Sequence, residues 1–154
     1  MRDYLKLVVF YFAFSWFNSF SKAVLPPHFL KEGLLFRQMI LGAVFLYVGQ
    51  ILLLLTLKRF SAKPAWSLAL LTSLLYILLI INISSPAQFY IASFISGFSL
   101  FLFFVFYNIA HFESTPKEKT GYSSGVMFSV APLVAVFAPL LAGFFGEINI
   151  SLIW

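Results

Sequence analysis

Five stretches of this chain, each about 20 residues long and almost free of charge, are separated by short connections that hold most of the Lys, Arg, Asp and Glu. A helix crossing hydrocarbon needs about 20 apolar residues. The runs fall at about 5–25, 35–57, 64–83, 86–110 and 121–146, and residues 148–154 read as the opening of a sixth. Lipid offers a backbone amide no partner, so each run must close its own hydrogen bonds and is expected to be a helix. Pro64 and Pro86 open two of the runs, where a missing N–H costs nothing. The expected fold is an all-α membrane protein, a bundle of five transmembrane helices forming one domain over residues 1–154.

Composition agrees. Of 154 residues, 62% are hydrophobic and 10% charged, against about 25% charged in a soluble domain. A chain this apolar has too little polar surface to cover itself in water. The net charge is +5, which in a soluble protein would raise nucleic acid as a partner. Here the cations lie between apolar runs and read as topology signals and headgroup contacts. The lipid bilayer is the expected partner, and no nucleic acid is. There is no Cys, which excludes disulfides, thiolate catalysis and Cys-ligated metal. The first run is longer than a signal-peptide core and lacks a clean small-x-small cleavage site, so it reads as a span.

Lys and Arg set the orientation. One side would hold Arg2, Lys6, Lys58, Arg59, Lys63, Lys117 and Lys119; the other would hold Lys22, Lys31 and Arg37. Seven against three places the N-terminus in the cytoplasm and, after five spans, the C-terminus outside. The expected location is the plasma (inner) membrane. The sequons at Asn82 and Asn149 fall on the outer side but hug the membrane, so neither is expected to carry a glycan.

Helical periodicity gives faces. Tyr4, Tyr11, Ser15, Asn18, Ser19 and Lys22 share about 100° of arc on the first helix. A polar stripe in lipid must face protein or water. It is either a set of helix–helix hydrogen bonds or a substrate or ion pathway, and Lys22 is also placed to snorkel to the headgroups. On the fourth helix Tyr90, Ser93, Ser96, Gly97, Tyr107, Asn108 and His111 share about 120° of arc. His111 reads either as an interfacial residue or as a proton relay. The fifth helix carries a face of small residues, Ser124, Ala131, Ala135, Ala138, Pro139, Ala142 and Gly146, suited to close helix approach. Gly42 and Gly49, one heptad apart, mark a packing face on the second helix. The third has only scattered Ser67, Thr72, Ser73 and Tyr76 and is expected to meet lipid.

Catalytic motifs do not hold up. Gly121-Tyr122-Ser123-Ser124-Gly125 fits G-x-S-x-G, but that elbow needs a preceding strand and a later His with an acid. Both His residues come earlier. There is no phosphate-binding Gly-rich loop and no ligand cluster for a metal. Glu113 and Glu118 flank a charged turn and read as solvated. No enzymatic activity, cofactor or metal is expected.

Three stretches resemble the major facilitator superfamily of secondary transporters. Leu25-Pro26-Pro27-His28-Phe29-Leu30-Lys31-Glu32-Gly33-Leu34 is similar to the family's L-P-x-[YF]-L-x-x-x-G-L passage into helix two. Leu57-Lys58-Arg59-Phe60-Ser61-Ala62-Lys63 looks like a worn copy of the basic loop between helices two and three. Arg59, Phe60 and Lys63 match it, while Lys58 replaces an Asp and Ser61 a Gly. Pro116-Lys117-Glu118-Lys119-Thr120-Gly121 resembles the P-x-E-x-R-G loop after helix four. Ala138-Pro139-Leu140-Leu141-Ala142-Gly143 resembles the G-P-x-x-G-G element of helix five, with Ala for two glycines.

The resemblance implies that helices one and four line a central cavity, that two and five face the other half, and that three is peripheral. The substrate-cavity candidates are then Tyr11, Ser15, Asn18, Lys22, Ser93, Tyr107, Asn108 and His111. Lys58, Arg59 and Lys63 form the cytoplasmic-loop motif, and Ala138, Pro139, Ala142 and Gly143 the helix-five packing motif. Ser93 stands where many proton-coupled members have a membrane Arg, so that form of coupling is not implied. The chain would be an N-terminal fragment, an incomplete six-helix half of such a permease. With its missing second half it would move a small solute by alternating access between two six-helix halves. The alternative is a self-contained five-span protein that assembles with partner helices through the small face of helix five.

Overall fold

A computed structural model of the chain describes residues 2–56, 62–115 and 117–148. Five helices account for nearly all of it: α1 (Arg2–Lys31), α2 (Phe36–Thr56), α3 (Ala62–Ile81), α4 (Pro86–Ser114) and α5 (Thr120–Ile148). A single 3-10 turn, Lys117–Lys119, precedes α5. All five helices are long and apolar enough to cross a membrane, and the described residues contain no strand. The expected start of a sixth run, the Asn149 sequon, Pro116, Lys58 and Arg59 lie outside the described residues.

The helices form two compact units. One comprises the described parts of Met1–His28 and Tyr107–Trp154, the other Phe29–Phe106. Side chains such as Leu55, Phe36 and Phe128 (77% exposed) are bare on the helix surfaces. In water such surface would be an aggregation liability; in hydrocarbon it is the lipid contact.

α1 runs further than its apolar stretch suggests. It passes through Pro26 and Pro27 to Lys31, although an interior Pro removes a hydrogen bond and crowds the carbonyl four residues back. Both prolines are exposed, whereas Leu25, His28 and Phe29 are buried. The interrupted bonds fall on the uncovered face, and the buried face carries the helix onward. Its end is a Schellman motif. Gly33, at φ +82°, donates its N–H to the Leu30 carbonyl at 3.1 Å, and Leu34 N–H reaches Phe29 O at 2.9 Å. The buried pair Phe29 and Leu34 supplies the apolar accompaniment of that motif. α2 then opens with Gln38 Oε1 accepting the Leu35 N–H at 2.7 Å, one arm of a capping box.

In the second unit α2 and α4 meet backbone to backbone. A methyl group on Gly49 would lie 2.5 Å from the Phe94 carbonyl oxygen, and one on Gly97 would strike the carbonyl of Leu46. A methyl on Gly42 would strike the ring of Phe89. Phe89 in turn packs edge-on against Phe29 at 4.6 Å, and Phe45 stacks on Tyr90 at 5.1 Å. α3 joins through hydroxyls. Ser99 Oγ donates to the Ala69 carbonyl at 2.9 Å, so in the Ser73–Ser99 hydrogen bond Ser73 is the donor. The scattered polar residues of α3 are thus partly used within the unit, while Leu70, Leu71, Leu74 and Leu78 are exposed.

The α3–α4 turn is tied by one residue. Ser85 is the N-cap of α4 and Pro86 its first residue. Gln88 N–H reaches Ser85 Oγ at 3.3 Å. Gln88 Nε2 donates to the carbonyls of Leu79 and Asn82, both at 2.9 Å, and Oε1 accepts from Ser84 N and Ser84 Oγ. One carbonyl from the last turn of α3, that of Leu79, and the Asn82 carbonyl just beyond it are thus satisfied from the first turn of α4. Asn82 Nδ2 is itself bound to the Leu78 carbonyl at 3.0 Å.

Candidate functional site

Most of the polar stripe lies in the first unit, on α1, the end of α4 and α5. Tyr11 stacks on Tyr107 at 4.8 Å, and Tyr107 is fully buried. Its hydroxyl donates to Met127 Sδ at 3.2 Å. One layer along, Tyr4 OH donates to the Ser123 carbonyl at 3.0 Å, and its ring lies 6.0 Å from that of His111. His111 Nε2 faces Ser124 Oγ at 3.4 Å. These residues recur at helical spacing, 4 and 11 on α1, 107 and 111 on α4, 123, 124 and 127 on α5. Each helix therefore turns one polar edge toward the other two.

Further along α1 the stripe changes character. Ser15 is buried. Asn18 is half-buried and spends its amide on its own helix, Nδ2 to Phe14 O at 3.1 Å. Lys22 is half-buried. No carboxylate or other polar group among the described residues pairs with it. Asn108 is exposed. Ser93 belongs to the second unit, where it is buried beside Gly42. Of the eight cavity candidates, the structure therefore brings Tyr11, Tyr107 and His111 into one cluster and strings Ser15, Asn18 and Lys22 along the adjoining α1 face.

The helix-five element divides by face. Ala138 and Ala142 are completely buried, Ala142 against Phe20 and Ala23 of α1. Pro139 is half-buried, and Gly143 and Ala135 are exposed. The buried stripe runs through Ser123, Met127, Val134, Ala138 and Ala142. Lys63 sits in the first turn of α3. Ser123 of the G-x-S-x-G match is buried in the first turns of α5, with its hydroxyl on the Thr120 carbonyl, so the segment is helix and not a strand-to-helix elbow. The described residues contain no cluster of metal-ligating side chains.

The second unit has a cleft of about 270 Å3 between the turns at 32–38 and 83–86. It holds one carboxylate, Glu32, and the Gln38 amide oxygen on its wall is already taken by Leu35.

Two buried residues of this unit were not legible in advance. Met127 lies 20 residues from Tyr107, and nothing in either sequence neighbourhood links them. Thr115 is buried one residue past α4 and looks in the sequence like part of a polar turn.

Compared with known proteins, the chain matches no family profile, no characterised protein and no solved structure.

Proposed function

We propose that this chain supplies helices to a secondary transporter of the major facilitator kind, with α1 and α4 bordering the solute path. One observation carries this. Asn18 and Lys22 sit half-buried in a membrane-spanning helix, on the same face as Tyr11 and Ser15, without a polar partner on another helix among the described residues. An ammonium and an amide in hydrocarbon need water or protein, so that face borders an aqueous space or a further polar helix. A path for a small polar solute supplies such a space. The remaining helices of such a transporter would come from outside residues 1–154. The Lys and Arg distribution favours a cytoplasmic N-terminus in the plasma (inner) membrane.

The competing assignment, a five-span assembly partner that docks through the small face of helix five, has less support. Ala138 and Ala142 are already covered, Ala142 by α1.

The absence of Cys makes the test clean. Single Cys at Asn18 and Lys22, in native membranes, should react with a membrane-impermeant thiol reagent. Cys at Leu74, exposed on α3, should not. Labelling that does not distinguish the two faces would reject the proposal. A reporter fused after Glu147 should give an extracytoplasmic signal; a cytoplasmic one would reverse the orientation.

A further inference from the structure

The end of the first unit contains two buried polar atoms that the helix packing leaves over. His111 is 2% exposed and Thr115 8%. Neither His111 Nδ1 nor Thr115 Oγ1 has a hydrogen-bond partner among the described residues. They are four positions apart, His111 in the last turn of α4 and Thr115 one residue past its end, a spacing that carries both side chains to the same side of the helix end. A buried polar atom left unmade costs the desolvation of that group, and in native proteins such atoms are usually answered by an ordered water or ion. Two orphaned atoms on one face meet the need of a bridging water for at least two polar partners.

The other nitrogen is also unusual in its surroundings. A histidine kept for structure has one tautomer fixed by a carbonyl or carboxylate. His111 Nε2 instead faces a hydroxyl, Ser124 Oγ, and a hydroxyl both donates and accepts. Thr115, four positions on, carries a second hydroxyl, and its Oγ1 is left over as Nδ1 is. The titratable group facing the ring from α1 is Tyr4, and on its own helix Tyr107 is one turn away. α5 presents the hydroxyls of Ser123 and Ser124, while its Tyr122 is exposed, as are Glu113 on α4 and Glu118 and Lys119 of the 3-10 turn.

We propose that His111 is a hydrated proton-binding site, with a water held between His111 Nδ1 and Thr115 Oγ1 as the route of the proton. In the neutral state Nε2–H donates to Ser124 Oγ, and Nδ1 accepts from the water. Uptake adds one proton at Nδ1, the water turns to accept from the new N–H, and Ser124 remains the acceptor at Nε2. Release reverses both changes, so neither state leaves a ring nitrogen unpaired. The site deepens the transport assignment by naming a proton as the ion to be coupled, at a place other than Ser93.

The experiment needs no solute and so stands apart from the transport assignment, which fails or survives on the labelling of Asn18 and Lys22. The chain has two His, and His28→Gln leaves His111 as the single reporter. Imidazole 15N spectra of the chain in lipid nanodiscs are recorded from about pH 4 to about pH 9, a range that brackets ordinary histidine titration. The expected result is a reversible titration in which Nδ1 moves between its unprotonated and protonated shifts while Nε2 stays protonated, with a magnetisation transfer from Nδ1–H to water. A ring that stays neutral across the range, one that takes up its proton at Nε2, or one without contact to water, overturns the proposal. Thr115→Val should move the midpoint by about half a pH unit or more, and Thr115→Ser should restore it. An unchanged midpoint in Thr115→Val, with helicity intact by circular dichroism, removes the bridging water and overturns the route.

Discussion

The backbone carbonyl of Leu46 occupies the space where a side chain on Gly97 would begin. α2 and α4 therefore touch along their main chains, with Gly49 against the Phe94 carbonyl one turn along α2. In lipid the contact between helices is won by close packing, because hydrocarbon competes with every apolar side chain. Glycine at these positions removes the atoms that would hold the backbones apart.

Gly97→Ala should therefore destabilise the protein although alanine is the better helix former. Overpacking against a backbone atom that cannot rotate away costs about 1–3 kcal/mol, more than the roughly 0.8–1.0 kcal/mol alanine gains over glycine in a helix interior. Gly125, inside α5, where an added methyl would meet nothing within 4 Å beyond its own helix backbone, is the control. Gly125→Ala should hold or raise the melting temperature in detergent, and Gly97→Ala should lower it. Equal melting temperatures would mean that α2 and α4 are not in backbone contact.

Gln88→Leu should loosen the α3–α4 turn. The side chain makes four hydrogen bonds to Leu79, Asn82 and Ser84, all lost in a substitution of similar volume. The turn is largely exposed and water replaces part of the loss, so the cost should be about 1–3 kcal/mol in total. Gln88→Glu keeps the two bonds accepted from Ser84 and should fall between. Amide exchange at Ser84 is the local measure. It should quicken in Gln88→Leu and much less in Gln88→Glu, and equal rates in all three proteins would remove the residue from its role.

The Ser73–Ser99–Ala69 link can be weighed by a double-mutant cycle of Ser73→Ala and Ser99→Ala. Side-chain hydrogen bonds between membrane helices average about 0.6 kcal/mol by this method. A coupling near that value is expected, since Ser99 also holds the Ala69 carbonyl and is only partly dependent on Ser73. A coupling of zero would mean that the two hydroxyls do not meet.

What the sequence shows follows from which forces act within one segment. Hydrocarbon forces each apolar run to be a helix, so the five helices could be placed from hydropathy. Local punctuation was also open to view: Gly33 is a C-terminal glycine stop, and Ser85-Pro86-Ala87-Gln88 has the S-x-x-Q pattern of a helix start with proline in its first turn, although the Gln88 amide oxygen takes Ser84 N–H instead of Ser85 N–H. The course of α1 through Pro26 and Pro27 was not, because it goes with the burial of Leu25, His28 and Phe29, the last of them against Phe89 of α4. The polar stripe of α1 is a single-helix property and could be drawn from periodicity. Its partners could not: Ser123 for Tyr4, Met127 for Tyr107 and Ser124 for His111 are set by the rotation of one helix against another. The heptad of Gly42 and Gly49 announced close packing but not that Leu46, lying between them, would present its carbonyl to Gly97.

The small face of α5 gives the sharpest contrast. Ala138 is 0% exposed, and Val136, two residues away, is 57% exposed. Two residues along a helix turn the side chain by about 200°, so the same substitution probes a packed surface at one position and lipid at the other. Ala138→Phe should cost about 1–3 kcal/mol by overpacking and lower both folded yield and melting temperature in detergent. Val136→Phe adds apolar surface where hydrocarbon already lies and should leave both unchanged. Ala135 tests the edge of the stripe. It is small but exposed, so Ala135→Phe should resemble Val136→Phe if coverage and not residue size decides the outcome. Should Ala135→Phe be as damaging as Ala138→Phe, the covered face of α5 is wider than the stripe through Val134, Ala138 and Ala142, and a further helix lies against it.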